Sequence, residues 1–249
     1  MTNAGMERKT DMESIRRENR EGQDARRFKG IIFDLDGTLL DTIADLTQSL
    51  NAALLAFGCP VYSEEEVKRL VGNGFVSTVD RAVPADLFPD EEERKGVKRA
   101  VLAEFASYYK KHFMDLTKPY PGIPELLAEL AEKGILLAVN SNKRDAYTKE
   151  LIKKNFPGIL FTDVIGEEEG VPKKPDPSAA LHIAEKMGLR PVEILYAGDS
   201  GYDIKTAENA GMTSLGVLWG YRSQQELLAA GACLIAHTPE EFAAVFSDQ

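Results

Sequence analysis

GIIFDLDGTLLD, residues 30–41, opens on a short aliphatic and aromatic run, Ile31-Ile32-Phe33, that reads as a buried strand. The strand ends in two carboxylates one residue apart, Asp34 and Asp36, followed by Gly37 and Thr38. Side chains alternate along an extended segment, so residues two apart reach the same side and can share one small ligand. Further runs of the same kind fall at residues 135–139, 161–165, 194–197, 214–218 and 234–236. Amphipathic helical patterns separate them, the mark of βαβ units on a parallel sheet. The helices are punctuated. Asp176 with Pro177 opens one and Gly188 closes it, while Ser223 with Glu226 and Thr238 with Glu241 each match a capping box.

One segment breaks the alternation. Residues 42–118 carry helical patterns, such as Ile43, Leu46, Leu50, Ala53 and Leu54, and later Val97, Val101 and Phe105, but no convincing strand. Within them Gly72, Asn73 and Gly74 read as a turn whose glycines permit close approach to a ligand. The expected fold is α/β: a doubly wound, Rossmann-like parallel sheet with a small all-helical cap inserted after the first strand. The core takes residues 28–41 and 119–249, the cap 42–118, and a charged solvated tail 1–27.

Composition narrows the function. With 249 residues and 43% hydrophobic content the chain can bury a sizeable core. A formal charge of −10, from 30 basic against 40 acidic residues, repels phosphate backbones at long range, so no nucleic-acid partner is expected. A small anionic substrate requires a pocket that reverses the sign locally. Cys59 and Cys233 show no paired spacing, which fits a reducing cytoplasm, and the charged residues before Arg27 resemble neither a signal nor an anchor. No membrane partner is expected.

In an open α/β sheet ligands bind beyond the carboxyl ends of the strands, which directs attention to four strand ends. The first supplies Asp34, Asp36, Gly37 and Thr38, the second Ser141, Asn142 and Lys143, the third Lys173 and Lys174, and the fourth Asp199 and Asp203. Singly, each motif has an ordinary reading as a turn, a helix cap or a solvated lysine. Together they place several carboxylates at one edge, where mutual repulsion calls for a cation, and hard oxygen ligands suit Mg²⁺. A metal, a lysine and a hydroxyl donor are what phosphoryl transfer requires, and a carboxylate can serve as its nucleophile.

In order and spacing, DLDGTLLD (34–41), NSNK (140–143), KKPDP (173–177) and GDSGYD (198–203) resemble the four motifs of the haloacid dehalogenase superfamily, and GVLWGYRSQQELLAAGA (216–232) is similar to its phosphoglycolate phosphatase group. The resemblance implies a Mg²⁺-dependent phosphatase for a small phosphorylated metabolite, 2-phosphoglycolate first among them. It makes Asp34 the nucleophile, Asp36 the general acid and base, and Lys174, directly before Pro-Asp-Pro, the charge-balancing lysine. It implies a metal held by Asp34, the Asp36 carbonyl and Asp199, with Asp203 orienting the lysine or metal-bound water. Ser141 and the Asn142 amide would grip phosphoryl oxygens, Thr38 would join them, and Gly72, Asn73 and Gly74 would reach the substrate from the cap. A phosphorylatable receiver domain has similar groups in another chain order, with the metal-binding acidic pair first. A dehalogenase has no need of Asp36. Another small phosphate or pyrophosphate, or a phosphosugar mutase reaction, would use the same machinery.

Overall fold

Strand β1 (Gly30–Phe33), buried throughout, takes an interior place in a six-stranded parallel sheet of order β5-β4-β1-β6-β7-β8. The other strands are β4 (Leu136–Arg144), β5 (Phe161–Glu167), β6 (Ile194–Gly198), β7 (Thr213–Val217) and β8 (Leu234–Ala236). These features come from a computed structural model that describes residues 28–246; the charged stretch 1–27 expected to be a tail lies outside the described residues. The register aligns the strand ends. Ile31 pairs with Leu137 on one side and Leu195 on the other, and Phe33 with Val139 and Ala197. The Asp34 N–H then donates to the Ala197 carbonyl at 2.9 Å, so Asp34 emerges level with the end of β6.

Alternation along β1 divides the core. Ile31 and Phe33 join one apolar cluster with Leu127, Leu137, Phe242 and Leu215, whereas Ile32 joins the other with Ala180, Ile183, Tyr196 and Ala207. Helices α7 (Ser178–Met187) and α8 (Gly201–Ala210) supply the second cluster, and α5 (Ile123–Glu132) and α10 (Pro239–Ala244) contribute to the first. Both faces are therefore covered, as the near-continuous apolar strands require.

Between β2 (Leu40–Asp41) and β3 (Lys118–Pro119) lie α1 (Ile43–Ala56), α2 (Glu64–Leu70), α3 (Gly74–Ala82) and α4 (Glu91–His112). Helix α1 buries Ile43, Leu46, Leu50, Ala53 and Leu54, and α4 buries Val101, Phe105 and Tyr109. Phe75, at the start of α3, stacks on Phe105 with ring centres 4.2 Å apart. Asp45, 1% exposed, closes the loop where the chain returns: its carboxylate accepts the Leu116 N–H at 3.0 Å, the Thr117 N–H at 2.9 Å and the Thr117 hydroxyl at 2.7 Å.

Three details differ from expectation. The antiparallel pair β2–β3 escaped the sequence reading because two residues per strand are too few to display a period. Strand β4 runs to Arg144, five residues past the expected end at 139, with polar Asn140, Ser141, Asn142 and Lys143 buried in it. At α10 the Thr238 hydroxyl caps Glu241 as expected, but the Glu241 carboxylate reaches the His237 N–H at 2.8 Å instead of closing the box; the Ser223–Glu226 box is complete. Among the described residues no helix is long and apolar enough to cross a membrane.

Candidate active site

The ends of β1 and β6 and the segment before α7 bring Asp34, Asp199, Asp203 and Lys174 together beneath the helical segment. One oxygen from each of the three carboxylates falls within 4.8 Å of the others. Among the described residues the Lys174 ammonium is the cation ion-paired with them, 2.8 Å from Asp34 Oδ1 and 2.6 Å from Asp203 Oδ1, with its side chain 2% exposed. Asp203 is fully committed, since its Oδ2 accepts from the Ser200 N–H at 3.0 Å and the Ser200 hydroxyl at 2.6 Å. Asp34 Oδ1 also accepts the Leu35 N–H at 2.7 Å, and Asp199 Oδ2 accepts the Tyr221 N–H at 2.7 Å.

Three buried carboxylates against one ammonium leave a negative surplus. Burial, with Asp203 next, pushes Asp34 up to about 7 despite the opposing pull of Lys174. Burial also drives Asp199 well above the ordinary carboxylate range, with Asp34 and Asp203 adding repulsion. Burial alone would lower Lys174, yet Asp203 and Asp34 overcome it and hold the lysine well above its ordinary value. A divalent cation among these oxygens removes the frustration, so the donor set fits Mg²⁺. The backbone has also been cleared around Asp199. Gly37 has φ +81°, and a Cβ there would sit 2.3 Å from Asp199 Oδ2; one on Gly220 would sit 2.3 Å from Asp199 Cβ. Gly37→Ala is accordingly expected to cost about 1–3 kcal/mol through strain and overpacking, and an unchanged thermal unfolding curve would show that the cradle has slack.

Asp36 faces differently. Its Oδ1 accepts the Thr42 hydroxyl at 2.6 Å and the Lys143 ammonium at 2.8 Å, and Oδ2 is 3.0 Å from the same ammonium. Lys143, with a 2% exposed side chain, also lies 5.0 Å from the centre of the Tyr109 ring, which comes down from α4. Burial opposes the charge on Lys143, but Asp36 and Tyr109 favour it and raise the lysine overall. Thus Asp34 and Asp36, two residues apart, are served by two different lysines.

From the helical segment, Val71, Gly72, Gly74, Phe75 and Thr78 line the same small cavity, of about 50 Å³, as Asp34, Asp36 and Asp199. Core side chains grip the carbonyls of that loop. The Asn142 amide donates to Gly72 O at 3.2 Å, Lys173 donates to Asn73 O at 3.0 Å, and the Arg222 guanidinium donates to Lys68 O and, at 3.0 Å, to Val71 O.

Most residues singled out from the sequence converge here, with several corrections. Asn142 lines the cavity, and its side chain also bridges Gly72 O and Lys174 O and accepts the Lys174 N–H at 2.9 Å, so it fastens the loops there. Ser141 and Thr38 are buried without lining the cavity; the Ser141 hydroxyl accepts the Lys143 N–H at 3.2 Å, and the Thr38 hydroxyl has no partner among the described residues. Asn73 precedes α3 and contributes its carbonyl to Lys173, not a group to the cavity wall. Lys173, paired with Glu167 at 3.3 Å, is a loop contact, and Lys174 alone reaches Asp34. Sequence reading missed the work of Lys143, Thr42, Tyr109, Tyr221 and Arg222. Lys143 stood in a quoted motif and could have been found by asking which cation balances Asp36. Thr42 directly follows the first motif, and Tyr221 and Arg222 stand in the quoted stretch 216–232, whereas Tyr109 comes from a distant segment with no local signal.

Comparison with known proteins gives the family. The sequence model of a family described as haloacid dehalogenase-like hydrolase matches residues 31–217. A protein named phosphoglycolate phosphatase from Vibrio parahaemolyticus is 33% identical over 214 residues, 86% of this chain and 94% of that one. Another of that name from Mannheimia succiniciproducens is 36% identical, over 78% of this chain and 87% of its own length. A crystal structure assigned as a phosphoglycolate phosphatase from Lactobacillus delbrueckii subsp. bulgaricus superposes with a TM-score of 0.81 at 35% identity, covering 88% of this chain and 98% of that one.

Proposed function

The chain belongs to the haloacid dehalogenase-like hydrolase family and is a phosphatase, and from that premise we propose that it hydrolyses a small phosphate monoester, 2-phosphoglycolate first, through a phosphoryl group carried on Asp34. The observation that carries the reading is the cluster of three buried carboxylates with, among the described residues, Lys174 as the ammonium paired to it. A carboxylate fixed by Lys174 and the Leu35 N–H presents its remaining oxygen in one direction, which lowers the entropic cost of attack on phosphorus. Asp34 displaces the alkoxide and becomes an acyl phosphate; water then attacks phosphorus, releases phosphate and restores the carboxylate. Asp36 protonates the departing alkoxide and takes the proton from the attacking water, while Lys143 and Thr42 hold it in place for both transfers. Lys174 offsets negative charge between Asp34 and the phosphoryl oxygens, and Asp203 positions Lys174.

Asp34, Asp199 and the Asp36 carbonyl are the proposed ligands of Mg²⁺, which when bound supplies positive charge to the phosphoryl oxygens. Asp203, whose oxygens accept from Lys174 and Ser200, is the group that orients the lysine beside that set. The helical segment between β2 and β3 serves as a cap domain that keeps bulk water from the acyl phosphate. Chelation with EDTA is expected to abolish phosphatase activity and added Mg²⁺ to restore it. Mg²⁺ at roughly 100 times its dissociation constant is expected to stabilise the fold by about 2.7 kcal/mol. Full activity in EDTA with no Mg²⁺-dependent rise in melting temperature would overturn the metal assignment.

A further inference from the structure

The cations around the cavity are not equivalent. Lys174 is held by Asp34 and Asp203, Lys143 by Asp36, Lys173 by Glu167 and Asn73 O, and the Arg222 guanidinium by two carbonyls of the cap loop. Arg144, an exposed residue at the end of β4, also lines the cavity, and among the described residues its guanidinium has no hydrogen-bond or ion-pair partner. It lies over the Phe75 ring, 5.9 Å from the ring centre, at the seam between β4 and α3. A cation–π contact of this kind leaves the guanidinium N–H groups free, and their fork is suited to bidentate capture of a carboxylate. Its neighbour across the strand ladder, Glu167, is instead turned to Lys173. In a chain of net charge −10, an unpaired arginine at a cavity wall supplies the local reversal of sign that an anionic ligand needs.

We propose that Arg144 is a specificity-determining residue that receives the carboxylate carried by the leaving group of a substrate such as 2-phosphoglycolate. The phosphoryl end has its own cation in Lys174, which leaves Arg144 for a second anion. This assignment rests on reading the site as a phosphatase and deepens it by naming what distinguishes one ester from another.

The test compares 2-phosphoglycolate with propyl phosphate, in which an ethyl group replaces the carboxylate, using full-length wild type, Arg144→Gln and Arg144→Lys. The wild type is expected to favour phosphoglycolate in kcat/KM, and Arg144→Gln to lower that ratio by about 10- to 100-fold, chiefly through KM, the range of a charge-assisted bond. Arg144→Lys should recover part of the ratio by restoring charge without the fork. The ratio is an internal control, because a folding defect lowers both rates together. An unchanged ratio in Arg144→Gln, or a wild type that hydrolyses propyl phosphate as well as phosphoglycolate, overturns the role of Arg144 and leaves the phosphatase reading standing. Hydrolysis of neither ester, nor of an activated aryl phosphate, removes both.

Discussion

Asp34→Asn is expected to leave no measurable turnover, while Asp36→Asn, two residues away, should be slowed by about 10²- to 10⁴-fold, the usual worth of general acid–base assistance. The surroundings explain the difference. The amide in Asp34→Asn has nearly the shape of the carboxylate and can still accept from the Leu35 N–H and Lys174, but it is not a nucleophile. In Asp36→Asn the side-chain oxygen can still accept from Thr42 and Lys143, so the loop keeps its conformation while proton transfer is lost. Rates on an alkyl phosphate and on an activated aryl phosphate separate the two roles. The aryl leaving group departs without a proton, so its first step should survive in Asp36→Asn and in no form in Asp34→Asn. Equal residual activity in both variants on both substrates would mean that the carboxylates share one function.

Lys174→Met should lower kcat by at least about 10²-fold, the cost of removing one preorganised charge-stabilising donor. It should also destabilise the fold, because Asp34 and Asp203 are left buried without their ammonium. Breaking a buried ion pair from one side costs about 3–5 kcal/mol, and methionine keeps the volume so that no cavity is added to the loss. Lys173→Met removes a partly exposed charge that touches only Glu167 and the Asn73 carbonyl, and should change stability by about 1 kcal/mol or less. Thermal unfolding and kcat measured on both variants distinguish these lysines. A fully stable and active Lys174→Met would remove Lys174 from the site.

Much of this arrangement is legible in the chain because each element announces itself locally. Ile31-Ile32-Phe33 is a buried strand on sight, and its carboxylates follow without a gap. Pro177 and Gly188 punctuate α7 where expected. Carboxylates at several strand ends of one parallel sheet must meet, since a parallel sheet ends all its strands on the same edge. What stayed illegible depends on distance in sequence. The Asp36–Lys143 pair joins residues 107 apart, and the Thr42–Tyr221 contact residues 179 apart; neither has a periodicity to read. The shape of a motif also hides which atoms are spent. Asn142 stands at the cavity where a phosphoryl donor was expected, and its side chain also ties Gly72 to Lys174, a fact set by loop packing. Strand β4 outran its expected end because polar Asn140 to Lys143 look like a turn in sequence, although they are buried by the elements around them.

The nucleophilic role of Asp34 is open to one direct measurement. Asp36→Asn is mixed with an activated aryl phosphate in the presence of Mg²⁺, quenched rapidly in acid, and its intact mass and peptides are analysed. A single phosphoryl adduct on the peptide carrying Asp34, absent from Asp34→Asn treated in the same way, is the predicted result. An adduct on any other residue, or turnover by Asp34→Asn with the same covalent signal, would contradict it.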